Sequence, residues 1–89
     1  MGTLDFYFID NGEHAYMEVS YAVANSVSVN ALNSSYSYYD AASRVYYFEE
    51  DVDAPEVIAA IRAMGYKVNT YDVYDPTFNP KRLTQAKYA

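Results

Sequence analysis

Four acidic residues near the middle of the chain are the clearest candidates for chemistry. Glu49, Glu50, Asp51 and Asp53 fall within five consecutive positions. Carboxylate oxygens bind hard cations, but the run has neither the ligand spacing nor the glycine of an EF-hand loop. Acidic residues are also favoured where a helix begins, because they face its exposed N–H groups. We therefore interpret the run as a strand end that leads into a helix and expect no cofactor, with a bound cation as the alternative.

The sequence shows none of the common patterns for a catalytic triad, a zinc site or a phosphate-binding loop. His14 is the only histidine, the chain has no cysteine, and no serine–acid pattern lies near His14, so the sequence indicates neither a catalytic triad nor a zinc site. The three glycines stand apart and form no phosphate-binding loop. The sequence therefore predicts a protein that is not an enzyme.

Tyrosine is unusually frequent, with 12 residues among 89 and no tryptophan. Tyrosine is a good strand residue, and it is also common at protein interfaces, where a large rigid ring carries a polar group. Neighbouring residues on a strand face opposite sides of the sheet, so Tyr46 and Tyr47 cannot both point into one core. At least one of them is expected to face outward.

The charge is unevenly distributed. Residues 1–78 contain all 12 acidic residues and only three basic ones and carry −9, whereas 79–89 contain three basic residues and carry +3. So acidic a body is repelled by nucleic acid and by anionic membranes and attracted to basic protein surfaces. No apolar run approaches the ~20 residues that cross a bilayer. We expect a cytoplasmic protein that binds another protein, with no direct contact to nucleic acid or membrane.

The first third of the chain has the alternation of strands. Thr3–Asp10 is a predicted strand, and Asn11-Gly12 predicts a two-residue type I′ hairpin turn. From Ala15 to Ala31 apolar residues occupy the odd positions, interrupted by Asn25, and Tyr16, Ala22 and Ala24 are the exceptions on the even positions. This pattern predicts two further strands over about 14–24 and 26–32. The alternative is one helix over about 13–32.

A helix between two strands is predicted in the second half. Residues 44–50 and 67–74 are rich in strand formers. Between them, Asp53 and Glu56 have the spacing of a capping box, and apolar residues recur at helical spacing over about 54–64. This strand–helix–strand unit predicts two parallel strands that are adjacent or separated by one other strand.

These elements predict one small α+β domain over 1–78. Its sheet has four to five strands, mostly antiparallel, and one main helix packs on one face. A ferredoxin-like βαββαβ arrangement is the alternative, which the helical interpretation of 13–32 would require. Residues 79–89 form a basic tail that is a short helix or mobile, because Asn79 and Pro80 are suited to begin a helix.

One helix covers one face of a sheet, so the other face is free for a partner. The sequence matches no family motif that we recognise. In physical type it is analogous to small acidic phage proteins that block host restriction or CRISPR complexes, some of which mimic nucleic acid. We predict an inhibitor of this kind that occupies a basic protein surface in the host cytoplasm; a homodimer or structural subunit is the alternative. The predicted contacts are Glu49, Glu50, Asp51, Asp53, Asp72, Tyr46, Tyr47 and Tyr71.

Overall fold

Six strands form one mixed sheet in the computed structural model, which describes residues 2–27 and 29–89. Met1, in the predicted domain, and Ser28, in the predicted strand 26–32, lie outside the described residues. The elements, in chain order, are β1 (Thr3–Asp10), β2 (Ala15–Ser20), α1 (Tyr21–Asn25), α2 (Val29–Leu32), β3 (Tyr38–Asp40), β4 (Val45–Glu49), α3 (Ala54–Ala63), β5 (Lys67–Tyr74) and β6 (Thr84–Gln85), with 3₁₀ turns at Pro80–Arg82 and Ala86–Tyr88.

The strand order is β5-β1-β2-β4-β3-β6. Among the described residues, only β1 and β5 are parallel neighbours, and the other four pairings are antiparallel. This architecture is consistent with the predicted α+β class. The predicted number of four to five strands is wrong, and so is the single main helix, since three short helices are present in the described ranges. β4 and β5 run parallel as predicted, but two strands separate them.

The first hairpin forms where it was predicted, with a different turn. The pairing of Asp10 with Ala15 encloses a four-residue loop. The side-chain oxygen of Asn11 accepts the N–H groups of Glu13 and His14 at 3.0 and 2.9 Å. This local bonding by asparagine is an alternative to the two-residue type I′ turn.

The prediction for residues 13–32 is wrong after Ser20. Its hydroxyl oxygen accepts the N–H of Val23 at 3.4 Å and caps α1, and α2 follows from Val29 to Leu32. The region therefore contains one strand and two short helices, rather than two strands or the single helix of a ferredoxin-like fold. Ala24 and Ala31 are wholly buried. Because their side chains are small, these helices can lie close to the sheet. Tertiary packing overrides the strand preference of the valines here.

All three helices pack on the same face of the sheet. The core joins inward residues of the central strands, including Met17 and Phe48, to Val57 and Ile61 of α3. On β4 the alternation is as predicted, because Tyr46 lies in this core and Tyr47 points to the opposite face. We call the face without helices the open face.

A buried polar group links β4, α3 and the C-terminal segment. The Ser37 hydroxyl donates to the Asp53 carboxylate and accepts the backbone N–H of Glu49 at 3.0 Å. The Ser37 carbonyl accepts the N–H of Ala86 at 2.8 Å. Asp53 does occupy the N-cap position of α3, but its side chain makes no capping hydrogen bond because it is held by Ser37.

The C-terminal segment is part of the sheet. Asn79 accepts the N–H of Lys81 at 3.2 Å and Pro80 begins a turn, as predicted, but the turn ends at Arg82. β6 then pairs with β3, and Ala86 is buried in the main core. The predicted tail 79–89 therefore contributes an edge strand and two 3₁₀ turns instead of one short helix.

Candidate functional site

Acidic side chains gather at one end of the sheet. Because β1, β4 and β5 run in the same direction, their carboxyl ends lie at the same edge. Asp10 ends β1, Glu49 ends β4, and Asp72 lies near the end of β5. We call the following set the acidic end: Asp10, Glu13, Glu49, Glu50, Asp51 and Asp72.

The carboxylates of the acidic end repel one another. The pKa of Glu50 is raised above its ordinary value, first by partial burial and then by the negative charges of Asp51, Asp72, Glu49 and Asp10. Within the described ranges, no basic side chain forms an ion pair with Glu49, Glu50 or Asp51. The like charges are therefore left without local compensation.

Removing one charge from the acidic end should stabilise the fold. We expect Glu50→Gln to raise the free energy of unfolding at pH 7 and low salt by about 0.5 kcal/mol, a small value because the side chain is exposed. The gain should fade in about 0.5 M salt. Because the folded-state pKa of Glu50 is the higher one, the gain is full above it and is lost as the pH falls to the ordinary value of 4.5.

Urea unfolding of both proteins at pH 7 and pH 4 measures this difference. Asp5→Asn, at an exposed position nearer the start of β1, is the matched control. Equal stability of Glu50→Gln and the unmodified protein at pH 7 and low salt would show that the other carboxylates of the acidic end do not repel Glu50.

Glu49 is the buried member of the acidic end and is only 7% exposed. One of its carboxylate oxygens, Oε2, accepts the backbone N–H groups of Asp51 and Val52, both at 3.0 Å. No hydrogen bond reaches the other oxygen, Oε1, from the described residues, and this oxygen is not sealed from solvent. Glu49 therefore keeps one free acceptor.

An aromatic cleft of about 330 Å³ opens beside Glu49 on the open face. Tyr16 lies in its wall, with its ring edge-on to Tyr38 at a centroid distance of 6.1 Å. Burial, followed by the charges of Tyr38, Glu49 and Glu13, raises the pKa of Tyr16, so its hydroxyl stays protonated. We define the aromatic cleft by His14, Tyr16, Tyr36, Tyr38, Glu49 and Asp51, with Val52 and Lys81 also in its lining.

The C-terminal segment covers part of the open face next to this cleft. The ring of Phe78 packs on Tyr47 and Tyr16 at centroid distances of 4.9 and 5.9 Å. A turn at Asp75 leads to Phe78, and hydrogen bonds from the Thr77 side chain and backbone lower the pKa of Asp75. Burial, then Glu18 and Asp40, raises the pKa of Tyr47, which Arg82 opposes.

The rest of the open face is uncovered at the β1–β5 edge. Tyr7 and Tyr71 lie side by side with ring centroids 5.8 Å apart, and each is about half exposed. Val73 is exposed further along β5. We call Tyr7, Tyr71 and Val73 the tyrosine strip. Among the described residues, β5 pairs only with β1, and none of them pairs with its outer edge.

The predicted contact residues fall into two groups. Glu50, Asp51, Asp72 and Tyr71 are exposed and lie at the acidic end or in the tyrosine strip. The others are less accessible: Tyr46 is in the core, Asp53 is buried against Ser37, Glu49 is at the cleft, and Tyr47 is half-buried under Phe78.

Sequence reasoning missed the aromatic cleft and the contribution of Asp10 and Glu13. One available signal was Tyr16, a large apolar residue among the polar even-numbered positions of β2. That exception marks the place where the open face is covered by Phe78. The spatial grouping of the tyrosines depends on strand order, which the alternation of residues does not specify.

No family model, curated protein or solved structure matches this chain. Within the described ranges, no three His, Asp or Glu side chains are arranged to hold a metal ion. Among the same residues, no helix has the length and apolarity needed to cross a membrane. The function must therefore be inferred from the chemistry of the acidic end, the aromatic cleft and the tyrosine strip.

Proposed function

We propose that this protein is a non-enzymatic inhibitor that occupies the basic surface of a nucleic-acid-handling protein complex. The phage-encoded proteins that block host restriction or CRISPR complexes are the nearest physical analogy, and the host cytoplasm is the proposed place of action. The observation that carries the proposal is the acidic end, where carboxylates from three strands of the same direction and from the loop after β4 repel one another, with no basic partner in the part of the chain that the structure describes.

Crowding of this kind has a cost for the fold and a use in binding. The mutual repulsion that raises the pKa of Glu50 disfavours the folded chain, and positions 50, 51 and 72 are exposed and contribute no side chain to the core. A basic surface that normally holds phosphates would relieve the repulsion on contact. Complementary charge also steers two proteins together and raises the association rate.

The tyrosine strip supplies the apolar part of such an interface. Tyr7 and Tyr71 present two half-exposed rings on the open face. Tyrosines of this kind lose little side-chain entropy on binding and frequently contribute much of the binding energy. We therefore propose that charge determines the speed and orientation of binding, while the strip slows dissociation.

Binding to purified basic complexes tests this proposal. Restriction endonucleases and CRISPR surveillance complexes are immobilised, and binding is measured at about 0.05 and 0.3 M salt, with nucleic acid cleavage as a second readout. We expect binding that weakens at high salt and reduced cleavage. Asp51→Lys should weaken binding at least tenfold, because it reverses one charge of the acidic end.

Asp5→Lys is the matched control, because it changes the net charge equally at an exposed position away from the acidic end. Its affinity should stay within about threefold of the unmodified protein. Equal loss in both variants would mean that only overall charge matters. No binding across the panel, or binding that does not depend on salt, would overturn the proposal.

Self-association is the second candidate, and the free edge of β5 favours it. Eight consecutive residues of β5 pair with β1 on one side, and no strand of the described ranges pairs with the other side. An exposed strand edge of this length can pair with a second copy in a symmetric dimer. Sedimentation at millimolar concentration separates the candidates, because a strict monomer excludes the dimer.

A further inference from the structure

We propose that the aromatic cleft binds a guanidinium group, supplied by an arginine side chain of the partner. The inference deepens the proposed function and rests on it for the source of the arginine. The preference for a guanidinium group rests on the cleft alone. Its basis is a pair of solvent-accessible polar atoms that have no hydrogen-bond partner among the described residues, on two largely buried side chains that line a tyrosine-rich cleft.

The two unsatisfied atoms are Glu49 Oε1 and the Tyr16 hydroxyl. Glu49 and Tyr16 are 7% and 3% exposed, and both side chains line the cleft. Neither atom has a hydrogen-bond partner among the described residues, and neither is sealed from solvent. Because solvent can reach both atoms and both residues line the cleft, they are available to a ligand that donates hydrogen bonds.

The negative charge of the cleft favours a cationic ligand. Glu49 is an almost fully buried carboxylate with no ion-pair partner in the described part of the chain, and Asp51 adds a second carboxylate. The backbone N–H groups of Asp51 and Val52 stabilise one oxygen of Glu49, and a cation at the other oxygen would gain an electrostatic interaction that is stronger than in bulk water. Lys81 also lines the cleft but forms no ion pair with either carboxylate.

The rings select a flat cation over a compact one. Tyr36 is 62% exposed at the mouth of the cleft, while Tyr16 and Tyr38 form its wall. A guanidinium group stacks on aromatic rings and directs several N–H donors outward in one plane. It can therefore donate to Glu49 Oε1 while stacking on a ring. An ammonium group is more strongly hydrated and does not stack in this way.

Short peptides test the cleft without any partner protein. The unmodified protein is titrated with acetyl-Gly-Arg-Gly-amide, with its citrulline analogue, and with its lysine analogue, and amide chemical shifts are followed by NMR. Citrulline matches arginine in shape but has no charge. We expect saturable millimolar binding of the arginine peptide, at least tenfold weaker binding of citrulline, and threefold or more weaker binding of lysine. The largest shifts should include the amides of Asp51 and Val52, because both donate to Glu49.

Two substitutions locate the binding, each with a matched control. Tyr16→Phe removes one unpaired hydroxyl, and Asp51→Asn removes one charge, so each should weaken arginine binding at least threefold. Tyr88→Phe and Asp5→Asn make the same chemical changes at exposed sites and should leave binding within about 1.5-fold. Far-ultraviolet circular dichroism confirms that all four variants are folded.

The outcomes separate this inference from the proposed function. Equal binding of the arginine and citrulline peptides, or no saturable shift at about 50 mM peptide, would overturn the cleft assignment even if a basic complex binds the protein. Arginine binding that is insensitive to Tyr16→Phe and Asp51→Asn would also overturn it. Selective arginine binding with no binding to any basic complex would support the cleft while the proposed inhibitor function fails.

Discussion

Ser37→Ala should lower the free energy of unfolding by about 3 kcal/mol. The substitution removes a single oxygen atom, but that atom donates to the buried Asp53 carboxylate and accepts the backbone N–H of Glu49. Ser37 is fully buried and Asp53 is 5% exposed, so water cannot replace either bond. A buried donor without a partner costs about 1–3 kcal/mol, and a buried carboxylate that loses its donor costs more than a neutral group does.

Urea unfolding followed by circular dichroism measures this loss. Ser43→Ala, at an exposed turn position, is the control and should change stability by less than about 0.5 kcal/mol. The double variant Ser37→Ala, Asp53→Ala should lose less than the sum of the two single variants, because it leaves no unpaired carboxylate. A loss below about 1 kcal/mol for Ser37→Ala would show that the hydroxyl does not hold this junction together.

Truncation after Leu83 should destabilise the protein by a similar amount, about 3 kcal/mol. It removes β6, which pairs with β3, and the buried side chain of Ala86. It also removes the hydrogen bond from the Ala86 N–H to the Ser37 carbonyl. Each lost hydrogen bond costs about 1 kcal/mol, and the exposed core surface adds about 25 cal/mol per Å².

Truncation after Lys87 is the control, because it removes only the two exposed terminal residues. That variant should stay within about 0.5 kcal/mol of the full chain. Hydrogen exchange provides a second measurement, since the amide of Ala86 should be protected in the full chain. Equal stability of the two truncated proteins, with rapid exchange at Ala86, would mean that the tail does not dock.

Elements with strong local signals were predicted well. β5 was predicted over 67–74 and has these bounds, and α3 was predicted over about 54–64 and spans Ala54–Ala63. Alternating β-formers and a proline in the first helical turn act within a few residues, so the local sequence determines the outcome. The first hairpin was predicted for the same reason.

Predictions failed where the local sequence is compatible with two different structures. The alternation of valines after Ser20 suits a strand, but a serine that can cap a helix and two small alanines suit a helix packed on a sheet. Asp53 has the sequence of a capping residue, yet its carboxylate meets Ser37, which is 16 positions away. The spacing of residues along the sequence does not decide between strand and helix in the first case, or between capping and a distant hydrogen bond in the second.

The sequence indicated the residue types of the candidate site but not their arrangement in space. Composition indicated an acidic body and a tyrosine-rich sheet, and alternation placed Tyr46 and Tyr47 on opposite faces. Which of the two is buried, and which carboxylates meet, depends on strand order. The acidic end exists because β1, β4 and β5 run in the same direction, and this follows from pairings between distant segments.

By itself, the sequence determined the charge imbalance, the strand and helix of the β-α-β unit, and the alternation that gives a sheet two different faces. These properties depend on neighbouring residues and on the fixed geometry of the backbone. Only the tertiary structure decided that the tail supplies a sixth strand, that Phe78 covers Tyr16 and Tyr47, and that Glu49 keeps a free oxygen at an aromatic cleft. Those features require contacts between segments tens of residues apart, where the gain from packing outweighs local preference.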